Sequence, residues 1–143
     1  MEKATVAILR TTPQKVFEDI PRLMEMAGVR QALKTQATTI LKDNISWHFP
    51  FLSANTTPWQ LEGVIRGLKA AGFSDLVAVH NNTVVTDPFK GGRLNKLEPI
   101  YQQHGIPEKY NFLPQQITWE VYHPKARMRV LAVHETQPPG EVE

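Results

Sequence analysis

Between Ala37 and Asn82 the chain carries, in order, an apolar β-branched run, an aromatic polar loop, a helix start and a second apolar run. Ala37–Leu41 reads as a strand, and Leu76–His80 (Leu-Val-Ala-Val-His) as another. Asn55-Thr56-Thr57-Pro58 opens the helix between them, with Leu61, Val64, Ile65 and Leu68 at helical spacing and Gly72 as its stop. A proline in the first turn costs nothing there, because its missing N–H would be unbonded anyway. Two strands joined through a helix must lie parallel and close with a right-handed crossover. That unit fixes the architecture the rest of the chain has to join.

Ahead of it, Ala4–Leu9 suits a buried strand. Thr12 and Pro13 suit a helix start, and Val16, Phe17, Ile20, Leu23, Met24 and Ala27 recur at helical spacing up to Gly28. Pro21 inside that pattern predicts a kink or a split near Asp19–Ile20. The second strand extends to Gln36, which makes it Gln36–Leu41. After Leu76–His80 comes a tract rich in Asn, Thr and Gly, then a helix around Leu94–His104 ended by Gly105-Ile106-Pro107. Ile117–Tyr122 and Met128–Val133 read as strands joined too briefly for a crossover, so they pair as an antiparallel hairpin. The expected fold is α/β, with a three-layer-like mixed sheet of mostly parallel βαβ units and a C-terminal antiparallel hairpin. Residues 1–134 form one domain, and 135–143, with Pro138-Pro139-Gly140, form a loose tail.

Composition narrows the function classes. Sixteen Lys and Arg against fourteen Asp and Glu leave a charge of +2, scattered along the chain rather than gathered into the footprint of a nucleic-acid binder. No nucleic-acid partner is expected. With no cysteine there is no thiolate nucleophile, no iron–sulfur cluster held by Cys and no Cys-ligated zinc in this chain, so no cofactor is expected. His48, His80, His104, His123 and His134 show no ligand spacing, and no metal is expected either. No run approaches the roughly 18 apolar residues of a membrane span, and Met1–Thr5 lacks the apolar core of a signal peptide. The expectation is a cytoplasmic protein without a membrane partner.

Ligands of open α/β sheets gather at the C-terminal ends of parallel strands. Here that edge receives Arg10 and Thr11, Lys42 and Asn44, and His80 and Asn82, with the helix start at Thr56 and Thr57 facing the same way. A lysine, two amides, a hydroxyl pair and free helix N–H groups make a cradle for a small carboxylate or phosphate. His80 is the weak catalytic candidate, as a proton-transfer group near neutral pH. Each residue also has a plain structural reading as a cap, a turn or a strand end. Gly91-Gly92 lacks the spacing of a phosphate loop. The loop Ile45–Ala54, with Trp47, His48, Phe49, Pro50 and Phe51, is either packed beneath itself, a wall over the site or a subunit contact. On the last reading the chain is a non-catalytic interaction domain. It would form a homo-oligomer through Trp47–Phe51 and the final hairpin with Trp119 and Tyr122.

Ile40-Leu41-Lys42-Asp43-Asn44, Asn55-Thr56-Thr57-Pro58 and the run from Gly63 to Phe73 together resemble the N-terminal part of the Domain of Unknown Function 362 family. The resemblance covers roughly Val6 to Gly105. It implies no general activity. Many members carry ferredoxin-like iron–sulfur segments, which a chain without cysteine cannot hold, and members continue past this length, so the chain looks like an N-terminal fragment or a truncated member. More distantly it is similar to the N-terminal domain of nickel-pincer lactate racemases. The Arg of their motif is replaced here by Thr57 or Pro58, so the resemblance brings no cofactor with it.

Overall fold

The structure, a computed structural model, describes residues 6–118. Its elements in chain order are α1 (Val16–Met26), α2 (Val29–Ala32), β1 (Thr39–Leu41), α3 (Pro58–Ala70), β2 (Leu76–His80), α4 (Pro88–Leu94), α5 (Glu98–His104) and β3 (Glu108–Tyr110). The three strands make one parallel sheet in the order β1-β2-β3. The expected β–loop–α–β unit is β1, α3 and β2. The expected C-terminal hairpin lies almost wholly outside the described residues. No helix among the described residues is long and apolar enough to cross a membrane.

Helix α3 forms where its signals place it. Thr57 caps it, its hydroxyl accepting the Gln60 N–H at 3.2 Å, and Pro58 fills the first turn. Leu61, Ile65 and Leu68 are buried on its inner face, and Gly72 turns the chain away at φ +93°. These residues join Leu41, Phe73, Leu76, Ala78, Leu97, Tyr101 and Ile106 in one core between helices and sheet. Leu76 and Ala78 alternate into that core along β2, and the same alternation turns His80 towards α5, where Tyr101 meets it edge-on.

Helix α1 packs along α3, and glycines set how closely. A Cβ on Gly63 would stand 2.7 Å from Ile20 Cδ1, and one on Gly67 would stand 2.9 Å from Met24 Sδ and 3.3 Å from Pro21 Cα. The chain does not split at Pro21. One helix runs through it, because the face that carries Pro21 is seated against the bare backbone of α3. Buried Glu62 adds a polar tie: it accepts from Arg66 Nε at 2.6 Å and lies 2.9 Å from His104 Nε2, linking α3 to α5. Burial pushes its carboxyl up, but the Arg66 and His104 bonds outweigh this and hold it below the usual range.

Several expectations need correction. Val6–Leu9 is not a strand: Val6 and Ile8 are exposed, and no backbone bond to the sheet is present for this run among the described residues. An apolar run becomes a strand only where an edge receives its ladder bonds. Helix α1 starts three residues after Pro13, following a turn in which the Lys15 N–H bonds the Thr12 carbonyl. The first strand of the sheet is only Thr39–Leu41. The supposed loop before Leu94 contains α4, capped by Asp87, whose carboxylate accepts the Lys90 N–H at 3.0 Å. Lys96, at φ +61°, breaks the chain between α4 and α5. Strand β3 was unforeseen.

Candidate functional site

Two chain crossings at the C-terminal ends of β1 and β2 open a cleft of about 240 Å³. Lys42, Asp43, Asn44, Ile45 and Ser46 line it as the chain leaves β1. His80 and Asn81 line it as the chain leaves β2, and Thr83 and Thr86 from the loop before α4, with Pro88 at the start of α4, close it. The position at the ends of parallel strands is where an open α/β sheet leaves room for a ligand.

Its floor is a buried polar cluster. The register pairs Ala78 with Glu108 and His80 with Tyr110, so His80 and Glu108 fall on the same face of neighbouring strands. His80 Nε2 lies 3.2 Å from Glu108 Oε1, and Nδ1 lies 3.3 Å from Asp43 Oδ1. Nε2 is sealed from solvent, and its contact with Glu108 is an ion pair rather than an aligned hydrogen bond. Tyr101 donates to the other oxygen of Asp43 at 3.0 Å. Burial disfavours the imidazolium, but Asp43 and Glu108 on either side overcome that and push the His80 pKa up to about 9. Burial, then the Asp43 charge, drives the Tyr101 hydroxyl well above its ordinary value, so it stays a donor. At neutral pH His80 is therefore an imidazolium whose charge is answered by the two carboxylates beside it, unsuited to taking a proton, and the positive charge that the cleft offers a ligand is that of Lys42 at its lip.

The sequence candidates divide into two groups. Lys42, Asn44 and His80 share the cleft; Lys42 is exposed at its lip and donates one N–H to the Asp43 carbonyl. Thr56 and Thr57 do not line it, since both are spent on the fold. Thr56 clasps Asn44 twice, its N–H to the Asn44 carbonyl at 2.7 Å and its hydroxyl accepting the Asn44 N–H at 2.7 Å. Thr57 caps α3. Asn82 is exposed and lies outside the lining, as do Arg10 and Thr11. Asn44 turns its amide inward to Ser46 Oγ and the Ala54 carbonyl, at 2.8 and 2.6 Å.

Sequence reasoning missed Asp43, Glu108 and Asn55. Asn55 is buried and organises the aromatic loop. Its Oδ1 accepts the N–H groups of Ser46 and Trp47, while its Nδ2 donates to the carbonyls of Trp47 and Phe49 and to Asn95 Oδ1. The loop it holds keeps its rings outside: Trp47, Phe49 and Phe51 are exposed, so they do not pack beneath it. Among the described residues no group of three or more His, Asp or Glu is arranged to hold a metal ion.

No family model, no curated protein and no solved structure matches the chain.

Proposed function

We propose that this α/β domain binds a small anionic ligand, a carboxylate or a phosphate, at the C-terminal edge of its sheet. The observation that supports the reading is the exposed Lys42 at the lip of a cleft at the C-terminal ends of β1 and β2, above a floor in which His80 offsets one of the two carboxylate charges of Asp43 and Glu108. Asp43 is engaged from within, by the Tyr101 hydroxyl and His80, so its oxygens do not bind Lys42. Lys42 supplies the reachable charge, Asn44 shapes the lip through its backbone clasp, and His80 supplies a proton where a reaction calls for one. Thr56 and Thr57 act by shaping the wall and Asn82 by extending it. The finer fold reading, a three-layer mixed sheet completed by the C-terminal hairpin, belongs to this proposal, as do cytoplasmic placement and membership of the family the motifs resemble.

The test is thermal denaturation of the full chain with inorganic phosphate, small carboxylic acids and nucleotides. A ligand present at 100 times its Kd stabilises by about 2.7 kcal/mol, a shift of a few degrees for a chain of this size. The shift should disappear in Lys42→Ala. If no anion shifts the midpoint, the reading is wrong.

A second reading has its own observation. The exposure of Trp47, Phe49 and Phe51 on a loop fixed by Asn55 favours an interaction or oligomerisation surface. Light scattering decides it: an oligomer weakened by Trp47→Ser or Phe51→Ser, and indifferent to anions, would replace the first reading.

A further inference from the structure

We infer that the anion taken by this cleft carries an apolar tail, an acyl chain or an aryl group, which leaves the polar floor along a wall of aromatic side chains. The inference rests on the anion reading and narrows its ligand class.

Single apolar side chains on a surface are ordinary, but several flanking in sequence the lining residues of one polar cleft are not. Each of the lining residues Ser46, Thr83, Thr86 and Pro88 is followed or preceded directly by a large apolar residue turned to solvent. Trp47, after Ser46, is 46 % exposed, and Phe89, after Pro88, is 42 % exposed. Val84 and Val85, between Thr83 and Thr86, are more exposed still, Val84 completely.

One side of this rim connects to the floor. The Phe89 ring lies 4.3 Å from Tyr110 centre to centre, and Tyr110 lies 5.1 Å from His80. Phe112 stands edge-on to Phe89, its ring centre 6.0 Å away. The rings thus run without a break from solvent to the buried imidazolium. On the other loop Trp47 stacks on His48 at 5.5 Å and Phe49 lies tilted against His48 at 4.5 Å, with Lys90 Nζ 4.7 Å over Phe49. A cation beside an aromatic rim suits a ligand that is anionic at one end and apolar at the other.

Size points the same way. At about 240 Å³ the cleft falls below the roughly 300–1,000 Å³ of sites that engulf a drug-sized ligand. It has room for a head group, and a longer ligand must extend beyond it. An inorganic anion would leave the rim without a role.

The experiment is calorimetric titration of the full chain with straight-chain monocarboxylates from acetate to octanoate, each below its micelle concentration, and with inorganic phosphate. Affinity should rise roughly two- to fourfold per added methylene until the rim is covered. Phe89→Ser should lower octanoate affinity about tenfold more than acetate affinity. Because Phe89 also packs on Tyr110, Val84→Asp is the companion variant: a fully exposed position changes without disturbing packing, and the same differential loss should appear. Lys42→Ala should abolish the whole series. A flat series with binding retained would overturn the tail and leave the anion reading standing. Absence of any binding, phosphate included, would overturn both. A length dependence that Phe89→Ser and Val84→Asp leave intact would place the tails in the apolar groove beside β1, which Lys42 also lines with Met24, Leu33 and Ile40, and would also overturn the inference. So would an oligomer that Phe89→Ser dissociates while ligand affinity stays unchanged.

Discussion

Tyr101 reaches across from α5 to donate its phenolic hydrogen to Asp43 at 3.0 Å, and both residues are buried. Asp43 is the second residue beyond β1, so this one bond ties the cleft floor to the helical layer. Tyr101→Phe keeps the ring and removes the donor, leaving Asp43 Oδ2 without that partner in the interior. An unmet buried acceptor costs about 1–3 kcal/mol, more where it is charged. Urea unfolding should show a lower midpoint with an unchanged slope. An unchanged midpoint would mean that water or a neighbour replaces the phenol at no cost.

The His80 cluster makes a pH prediction whose sign follows from the raised pKa. An unfolded chain loses this proton near pH 6.5, whereas the folded protein keeps it to about pH 9. The cluster's stabilisation is thus complete below pH 6.5 and fades as pH rises through 9, at most about 3 kcal/mol in all. Glu108→Gln removes one of the two flanking charges. Imidazole resonances followed by NMR should then report a His80 pKa moved down from about 9 towards its ordinary value, and the fall of stability between pH 6.5 and 9 should flatten. Should the titration midpoint stay near 9, Asp43 alone holds the proton.

The parts of this molecule legible in its sequence are those governed by local rules. Helix α3 declares itself by the Thr57 cap, Pro58, a 3.6-residue apolar period and Gly72, all within sixteen residues of one another. Strand β2 declares itself by an unbroken apolar run ending at His80. Placing Lys42 and His80 at one cleft needed only the rule that parallel strands point their C-terminal ends the same way. Asp43 and Glu108 were illegible because their meaning lies in His80, which both of them face from distant parts of the chain, and because Glu108 sits on a strand of three residues with no periodicity to show. Thr56 and Thr57 were legible as residues near the site and misjudged as to role, since nothing local says that Thr56 turns to Asn44. Helix α4 hid behind Gly91-Gly92, which reads as a loop. Gly91 is needed there because a Cβ would stand 2.7 Å from Ile45 Cγ2.

Asn55 offers a separate handle on the aromatic loop. Its side chain meets two N–H groups, two carbonyls and the Asn95 amide, so Asn55→Ala strands several buried groups at once. A loss of about 2–4 kcal/mol is expected, at and beyond the upper end of the usual single-mutation range because a network rather than one bond is broken. Hydrogen exchange should show loss of protection at the Ser46 and Trp47 amides first, with the β2 amides still protected. If all amides lose protection together, the loop is not a separable unit and its rim cannot be changed without the core.

Two glycines in helices should respond to alanine in opposite directions. Both substitutions gain helix propensity, up to about 1 kcal/mol. At Gly63 the new methyl would meet Ile20 at 2.7 Å, inside the tight contact of α1 with α3, and overpacking costs about 1–3 kcal/mol. The net effect at Gly63 is therefore destabilising, by about 1 kcal/mol. At Gly92 the nearest atom to the new Cβ is Glu98 Cβ at 4.0 Å, ordinary contact distance, so propensity acts alone and Gly92→Ala should stabilise by up to about 1 kcal/mol. Thermal midpoints of the two variants, measured side by side, should move apart by several degrees. If Gly63→Ala is as stable as Gly92→Ala, α1 slides on α3 to make room, and the close seating of Pro21 on that helix is not what holds the N-terminal helix in place.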